Sequence, residues 1–282
     1  MISGEDVYWE KEYKRYLAEV KLRSIFSFDD YSPAKSYSQR AILNRIIYPI
    51  LSKTKKTCLE LGSGSGFILS LLSKMQIRCV GVDNSEKAIE FSKYICQQRR
   101  TQVTLINENI FNFVSKEKFS LVFNSGVIEH FKFDQQDLLI KKMVSLSNKY
   151  ILVCIPNNNS PLYLDFIDYV KKKGNFYNVK EYPVNMEKLF RKNKVRLILK
   201  DGFHIFNSKK CYLNHRRKKI FKFYRTLSIR LGKIYLNGEN FFSKDYNKKD
   251  IKLMTLLENI ATPEERFKFG FMRLYLGVIE SK

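Results

Sequence analysis

Three glycines at alternate positions, Gly62, Gly64 and Gly66, follow the apolar run Cys58-Leu59-Glu60-Leu61. Glycine lets the backbone take angles that other residues resist, and it lets a ligand lie against bare main chain near a helix N-terminus. The spacing is G-x-G-x-G, not the G-x-G-x-x-G that cradles a dinucleotide pyrophosphate. Asp83 stands 17 positions after Gly66 and closes the next apolar run, Cys79-Val80-Gly81-Val82. A carboxylate so placed accepts hydrogen bonds from both hydroxyls of a ribose and disfavours a phosphate. Together the two features imply a nucleoside ligand without pyrophosphate. Taken alone, each also fits a structural turn or a helix-capping acid.

Proton transfer falls to few residues. The chain has three histidines, His130, His204 and His215. His130 follows Glu129 after a fourth apolar run and titrates near neutral pH, so it is the base candidate. Glu129 shares that role, and structural support is the alternative for both. His204 sits in an apolar pattern and reads as core; His215 lies in a basic run and reads as exposed. The five cysteines include no C-x-x-C pair, and four of them lie in or near apolar runs, so neither a disulfide framework nor a zinc site is expected.

These residues need elements to hold them. Thr57–Leu61, Cys79–Val82, Val103–Ile106, Phe119–Phe123 and Tyr150–Ile155 are short apolar runs that read as buried strands. Amphipathic helices separate them: Phe67–Met75, a helix capped by Ser85, and one from about Asp134 to Leu146. Strand and helix in alternation predict an α/β fold with a mostly parallel sheet, covered on both faces. Beyond Ile155 the pattern predicts a helix over LYLDFIDYVKKKG, a second over Met186–Leu199, a sixth strand near Phe203–Phe206, and a closing strand in FKFGFMRLYLGVIES.

With these pieces in place the sequence resembles the class I S-adenosylmethionine-dependent methyltransferases. The resemblance rests on Glu60-Leu61-Gly62-Ser63-Gly64-Ser65-Gly66, Val82-Asp83, Asn107-Glu108-Asn109-Ile110 and Phe119-Ser120-Leu121-Val122-Phe123 with Glu129-His130-Phe131. It implies a Rossmann-like, doubly wound, seven-stranded sheet with a helical insertion. It implies S-adenosylmethionine as methyl donor and S-adenosylhomocysteine as product. Glu60 and the loop at Gly62, Gly64 and Gly66 would hold the methionine end, and Asp83 the ribose. Asn109 and Ile110 would meet the adenine amino group, Asn84 the adenine face, and Asn124, Ser125 and Gly126 the wall near the sulfonium. Asn109 departs from the family's usual Asp, and Asn84 from its usual apolar residue. From their position just before the sheet, and not from the resemblance, Tyr37 and Arg40 are expected to close over the cofactor.

Absent motifs narrow the reaction. There is no N/D-P-P-Y or Pro-Cys after the fourth strand, no Lys-Asp-Lys-Glu set, and no cluster of acids after strands four and five. What remains is metal-free in-line transfer to an oxygen or nitrogen.

The formal net charge is +23, and 14 basic against 3 acidic residues fall between 209 and 252. The hydrophobic fraction of 44% excludes a disordered polyelectrolyte. The basic stretch has three readings beside a plain solvated face: a cover that attracts an anionic small molecule, an RNA contact, or a membrane or subunit contact. The expected division is a helical flank or lid over 1–56, a cofactor-binding core over 57–208, a basic helical insertion over 209–262 and a closing strand over 263–282. The favoured acceptor is a small, acidic or phosphorylated metabolite. An RNA methyltransferase and a non-catalytic subunit that activates a partner are the alternatives, and a homodimer is left open. The charged N-terminus and the lack of a ~20-residue apolar window predict a cytoplasmic protein.

Overall fold

Short apolar runs, buried most completely in the central strands, form the sheet of this computed structural model, which describes residues 4–22, 42–172, 180–205, 223, 226–227 and 255–280. The strands are β1 (Thr57–Leu61), β2 (Arg78–Asp83), β3 (Val103–Asn107), β4 (Phe119–Ser125), β5 (Ser147–Pro156), β6 (Val195–Phe203) and β7 (Met272–Ile279). They lie in the order β3-β2-β1-β4-β5-β7-β6. The first five pair in parallel, and β7 runs antiparallel between β5 and β6. Chain order reverses between β1 and β4, which opens a crevice at the carboxyl ends of those strands.

Alternate side chains of each strand feed two cores. Cys58, Cys79, Leu121, Phe123, Leu152 and Cys154 pack on α2 (a π-helical turn, Leu43–Ile47, continuing as Tyr48–Leu51), α3 (Phe67–Lys74) and α4 (Glu86–Gln98). Leu59, Leu61, Val80, Val82, Val122 and Val153 pack on the opposite face, against α5 (Phe133–Leu146) and α7 (Met186–Lys192). Each side chain taken fully from water contributes about 1.5–3 kcal/mol, so two continuous layers fix which end of the sheet gathers the loops. Ser85 caps α4 as its position predicts, its Oγ accepting from Ala88 N–H at 3.1 Å. The helix α1 (Gly4–Leu22) lies across α4, with Tyr13 stacked on Phe91 at 5.0 Å. The helix α6 (Pro161–Lys172) follows β5.

Three sequence expectations need correction. The helix predicted over Met186–Leu199 stops at Lys192, and the sixth strand, expected near Phe203–Phe206, instead spans Val195–Phe203. Asn193 caps the helix and Lys194 turns at φ +55°, which ends the 3.6-residue repeat. From there Val195, Leu197 and Leu199 alternate with exposed Arg196, Ile198 and Lys200, the period of a strand. The segment predicted as a closing strand begins as a helix, α8 (Pro263–Phe269), before β7. Thr262 and Glu265 form a reciprocal capping box with Pro263 at the first turn, a local signal strong enough to start a helix.

A buried ionic cluster ties α2, β6 and α8 together. Arg266 forms a bidentate pair with Asp201, with Nε–Oδ1 at 2.7 Å and Nη2–Oδ2 at 2.9 Å. Arg45 Nη2 donates to the Gly202 carbonyl at 3.0 Å, and Arg45 Nη1 lies 3.5 Å from Glu258 Oε1. Glu258 in turn accepts the backbone N–H groups of His204 and Ile205 at 3.0 and 3.3 Å. No helix among the described residues is long and apolar enough to cross a membrane.

Candidate functional site

The loop after β1 is built for close approach. Gly62, Gly64 and Gly66 have φ of +76°, +51° and +61°, a region that costs a residue with a Cβ roughly 1–2 kcal/mol. A Cβ on Gly62 would fall 2.5 Å from Val127, and one on Gly66 2.4 Å from Ser92 Oγ. On Gly64 it would fall 2.5 Å from the Trp9 ring of α1, so an aromatic side chain covers the bare backbone there.

Asp83 straps this loop from β2. Its Oδ2 accepts from Gly64 N–H at 2.8 Å and its Oδ1 from Ser85 N–H at 3.0 Å. Asp6 of α1 reaches the same corner and accepts from Ser85 Oγ at 2.5 Å. Glu60 is buried at the end of β1, and its Oε2 has no hydrogen-bond partner. Burial, reinforced by the charge of Asp83, holds its carboxyl well above the usual range. Asn124 at the end of β4 is fully buried; its Nδ2 donates to Met143 Sδ at 3.2 Å and its Oδ1 is unpaired.

The turn after β4 continues the same edge. Ser125 and Gly126 follow Asn124, and the Gly126 N–H donates to the Cys154 carbonyl of β5 at 3.0 Å. Glu129 is buried in the 3-10 turn Ile128–His130, and its Oε1 lies 4.0 Å from His130 Nε2. Burial raises its carboxyl to about 8, against the pull of its own backbone hydrogen bond, and Glu181 adds to the rise. Burial also pushes the Cys154 thiol up, with Glu60 and Glu129 acting on it from either side.

Thus the expected residues Glu60, Gly62, Gly64, Gly66, Asp83, Asn124, Ser125, Glu129 and His130 meet at the carboxyl ends of β1, β2 and β4. Three others stand at the margin. Asn109 is exposed, and its Oδ1 accepts from Phe111 N–H at 2.9 Å, so it is engaged in a turn. Ile110 is buried in the core, and Asn84 is exposed. His204 lies just past β6, half-buried against Phe271 at 5.2 Å, and is not a core strand residue. Tyr37, Arg40, His215 and most of the basic stretch 209–252 lie outside the described residues; within it Phe223 stacks on Phe269 at 4.3 Å. Trp9, Asp6 and Val127 were not found by sequence reasoning. The one available signal was a lone tryptophan in an aromatic N-terminal helix.

Buried acceptors without donors, beside a glycine cradle, suit a ligand that brings an ammonium and hydroxyls. The residues present therefore fit S-adenosylmethionine.

A family model described as a methyltransferase domain matches residues 52–224, more than half of the chain. No curated protein sequence matches it. Among solved structures, a SAM-dependent methyltransferase from Archaeoglobus fulgidus superposes with TM-score 0.53 at 17% identity, covering 94% of this chain and 99% of that one. The magnesium protoporphyrin IX methyltransferase of Synechocystis PCC 6803, solved with bound SAH, gives 0.51 at 12% identity over 89% and 87%. A SAM-dependent methyltransferase from Thermotoga maritima gives 0.50 at 15% over 96% and 99%. At such identities the structures speak for the fold, and the family model carries the assignment. The chain belongs to the methyltransferase-domain family and is an S-adenosylmethionine-dependent methyltransferase of class I architecture.

Proposed function

We propose that the protein transfers a methyl group from S-adenosylmethionine to an oxygen or nitrogen of a small molecule, by metal-free in-line transfer at the carboxyl ends of β1, β2 and β4. The observation that carries this reading is the pair of unpaired buried acceptors, Glu60 Oε2 and Asn124 Oδ1, flanking the glycine loop. Such atoms cost about 1–3 kcal/mol each when left without a donor, and a bound ligand offsets that cost. In this reading Glu60 receives the cofactor's ammonium, Asp83 its ribose hydroxyls and Asn109 its adenine amino group. When bound, the cofactor supplies an electrophilic methyl group. The chain then needs only to orient the acceptor and take its proton, a task for Glu129 and His130.

The anionic acceptor expected from the basic stretch draws no support from the described site residues, among which three are acids, Glu60, Asp83 and Glu129, and one is basic, His130. No described residue favours RNA over a small molecule. The test is calorimetric titration of S-adenosylhomocysteine into the full chain. Micromolar binding, weakened at least tenfold by Asp83→Ala, supports the reading; no binding by a folded protein overturns it.

A further inference from the structure

Two acids border the acceptor side of the site, and among the described residues the one basic side chain at ion-pair distance from them is His130, its Nε2 4.0 Å from Glu129 Oε1. The Glu129 side chain is 5% exposed, and its Oε2 has no hydrogen-bond partner. A Cβ on neighbouring Gly126 would meet one group within 4 Å, Glu129 Oε1 at 3.6 Å. Oε1 therefore faces the unfilled position at Gly126, while the side chain as a whole is buried.

A second carboxylate comes from the segment before α7. Tyr182 N–H donates to the Glu129 carbonyl at 2.6 Å, which brings Glu181 alongside. Glu181 Oε1 accepts from the Tyr163 hydroxyl of α6 at 2.5 Å. Tyr163 and Phe166 both meet Phe271 edge to face, at 5.2 Å in each case. Among the described residues, no Lys or Arg lies within ion-pair distance of Glu129 or Glu181. Asp137, Asp201 and Glu258 each have such a partner.

A pair of acids disfavours an anion, and ionising the buried Glu129 is expensive until a cation arrives. Aromatic faces attract cations as well. Resting on the methyltransferase reading above, we infer that the methyl acceptor is a small basic amine, held as its cation by Glu129 and Glu181 beside the Tyr163–Phe271 aromatic group. Glu129, protonated in the free protein, gives its proton to solvent as the ammonium binds, and the carboxylate so formed takes the proton that the nitrogen must shed. The nitrogen forms its N–C bond with the lone pair so uncovered, and the methyl's bond to sulfur breaks with its pair left on sulfur. One proton is released for each methyl gained, so the product nitrogen is again a cation and leaves Glu129 protonated, as in the free protein. Tyr163 is a positioning residue, fixing the Glu181 carboxylate.

The test is calorimetry on the full chain saturated with S-adenosylhomocysteine. The probes are small aromatic and aliphatic amines, each matched by the carboxylate of the same skeleton, with phenethylamine and 3-phenylpropionate as the first pair. The expected result is an amine that binds at least tenfold tighter than its carboxylate match. Glu181→Gln should abolish that preference while leaving S-adenosylhomocysteine affinity and the unfolding midpoint in place, and Tyr163→Phe should reduce it. Equal or better binding of the carboxylates overturns the inference, as does the failure of every amine while S-adenosylhomocysteine binds. Failure of S-adenosylhomocysteine itself sinks the underlying reading, and this inference with it.

Discussion

Two neighbourhoods of buried carboxylates among the described residues have opposite surroundings. Asp201 and Glu258 sit among Arg45, Arg266 and backbone N–H donors, so each acid there has an ion-pair partner within the chain, although Arg45 Nε and Nη1 make no hydrogen bond. Glu60 and Glu129 are buried to a similar degree, yet each keeps an oxygen with no hydrogen-bond partner. The first arrangement ties the segment before β1 to the β6–β7 connection. The second has a donor to gain from outside. A buried acid holds a fold together when the fold supplies its partner, and waits for a ligand when it does not.

The largest effect should come from unpairing the first neighbourhood. Arg266→Met leaves Asp201 without its bidentate partner, and loss of about 3–5 kcal/mol is expected in denaturant unfolding. An unchanged midpoint would show that the cluster is not closed. The same treatment in the second neighbourhood should act the other way. Glu60→Gln replaces a buried acid that has an oxygen without a hydrogen-bond partner, so the unfolding midpoint should hold or rise while S-adenosylhomocysteine affinity falls at least tenfold.

Glu129 sharpens the contrast through pH. Its carboxyl is raised to about 8 from an ordinary 4.5, so between those values the native state holds a proton that the unfolded chain has released. Stability contributed by that proton is present below about pH 4.5 and is lost as pH rises through 8. The slope is at most one proton, about 1.4 kcal/mol per pH unit. Thermal unfolding of Glu129→Gln should lack this fall, and parallel curves for the two proteins would remove the group from the argument. The smallest effect belongs to an acid answered at the surface. Asp137 pairs with Lys141 and Lys192 at 2.9 Å each, but both lysine side chains are at least half exposed. Lys141→Ala should therefore cost no more than about 0.5 kcal/mol.

The sequence made some of this legible and hid the rest for a definite reason. β1 to β5, the glycine loop, Asp83 and the Ser85 cap were readable because their signals are local: apolar runs, alternate glycines, a hydroxyl one position before a helix. The end of α7 was misread because VRLILK follows a helix with no proline or glycine between them, and strand alternation was taken for helical spacing. The start of α8 was missed although its capping box is local. Arg45 and Asp201 are 156 positions apart, and nothing in either neighbourhood announces the other. Trp9 over Gly64, and Glu181 beside Glu129, are of the same kind. They are products of the closed sheet, invisible until it closes.

The ring that lies over Gly64 has a further consequence, because the chain contains one tryptophan. Its ultraviolet emission with 295 nm excitation is then, to good approximation, light from a single place, the roof of the glycine loop. Whatever slides beneath that roof must move the ring or press against it, and the wavelength and yield of the emitted light will register the event. The molecule thus carries its own lamp at the doorway of the proposed cofactor site, and occupancy can be followed there without attaching any label.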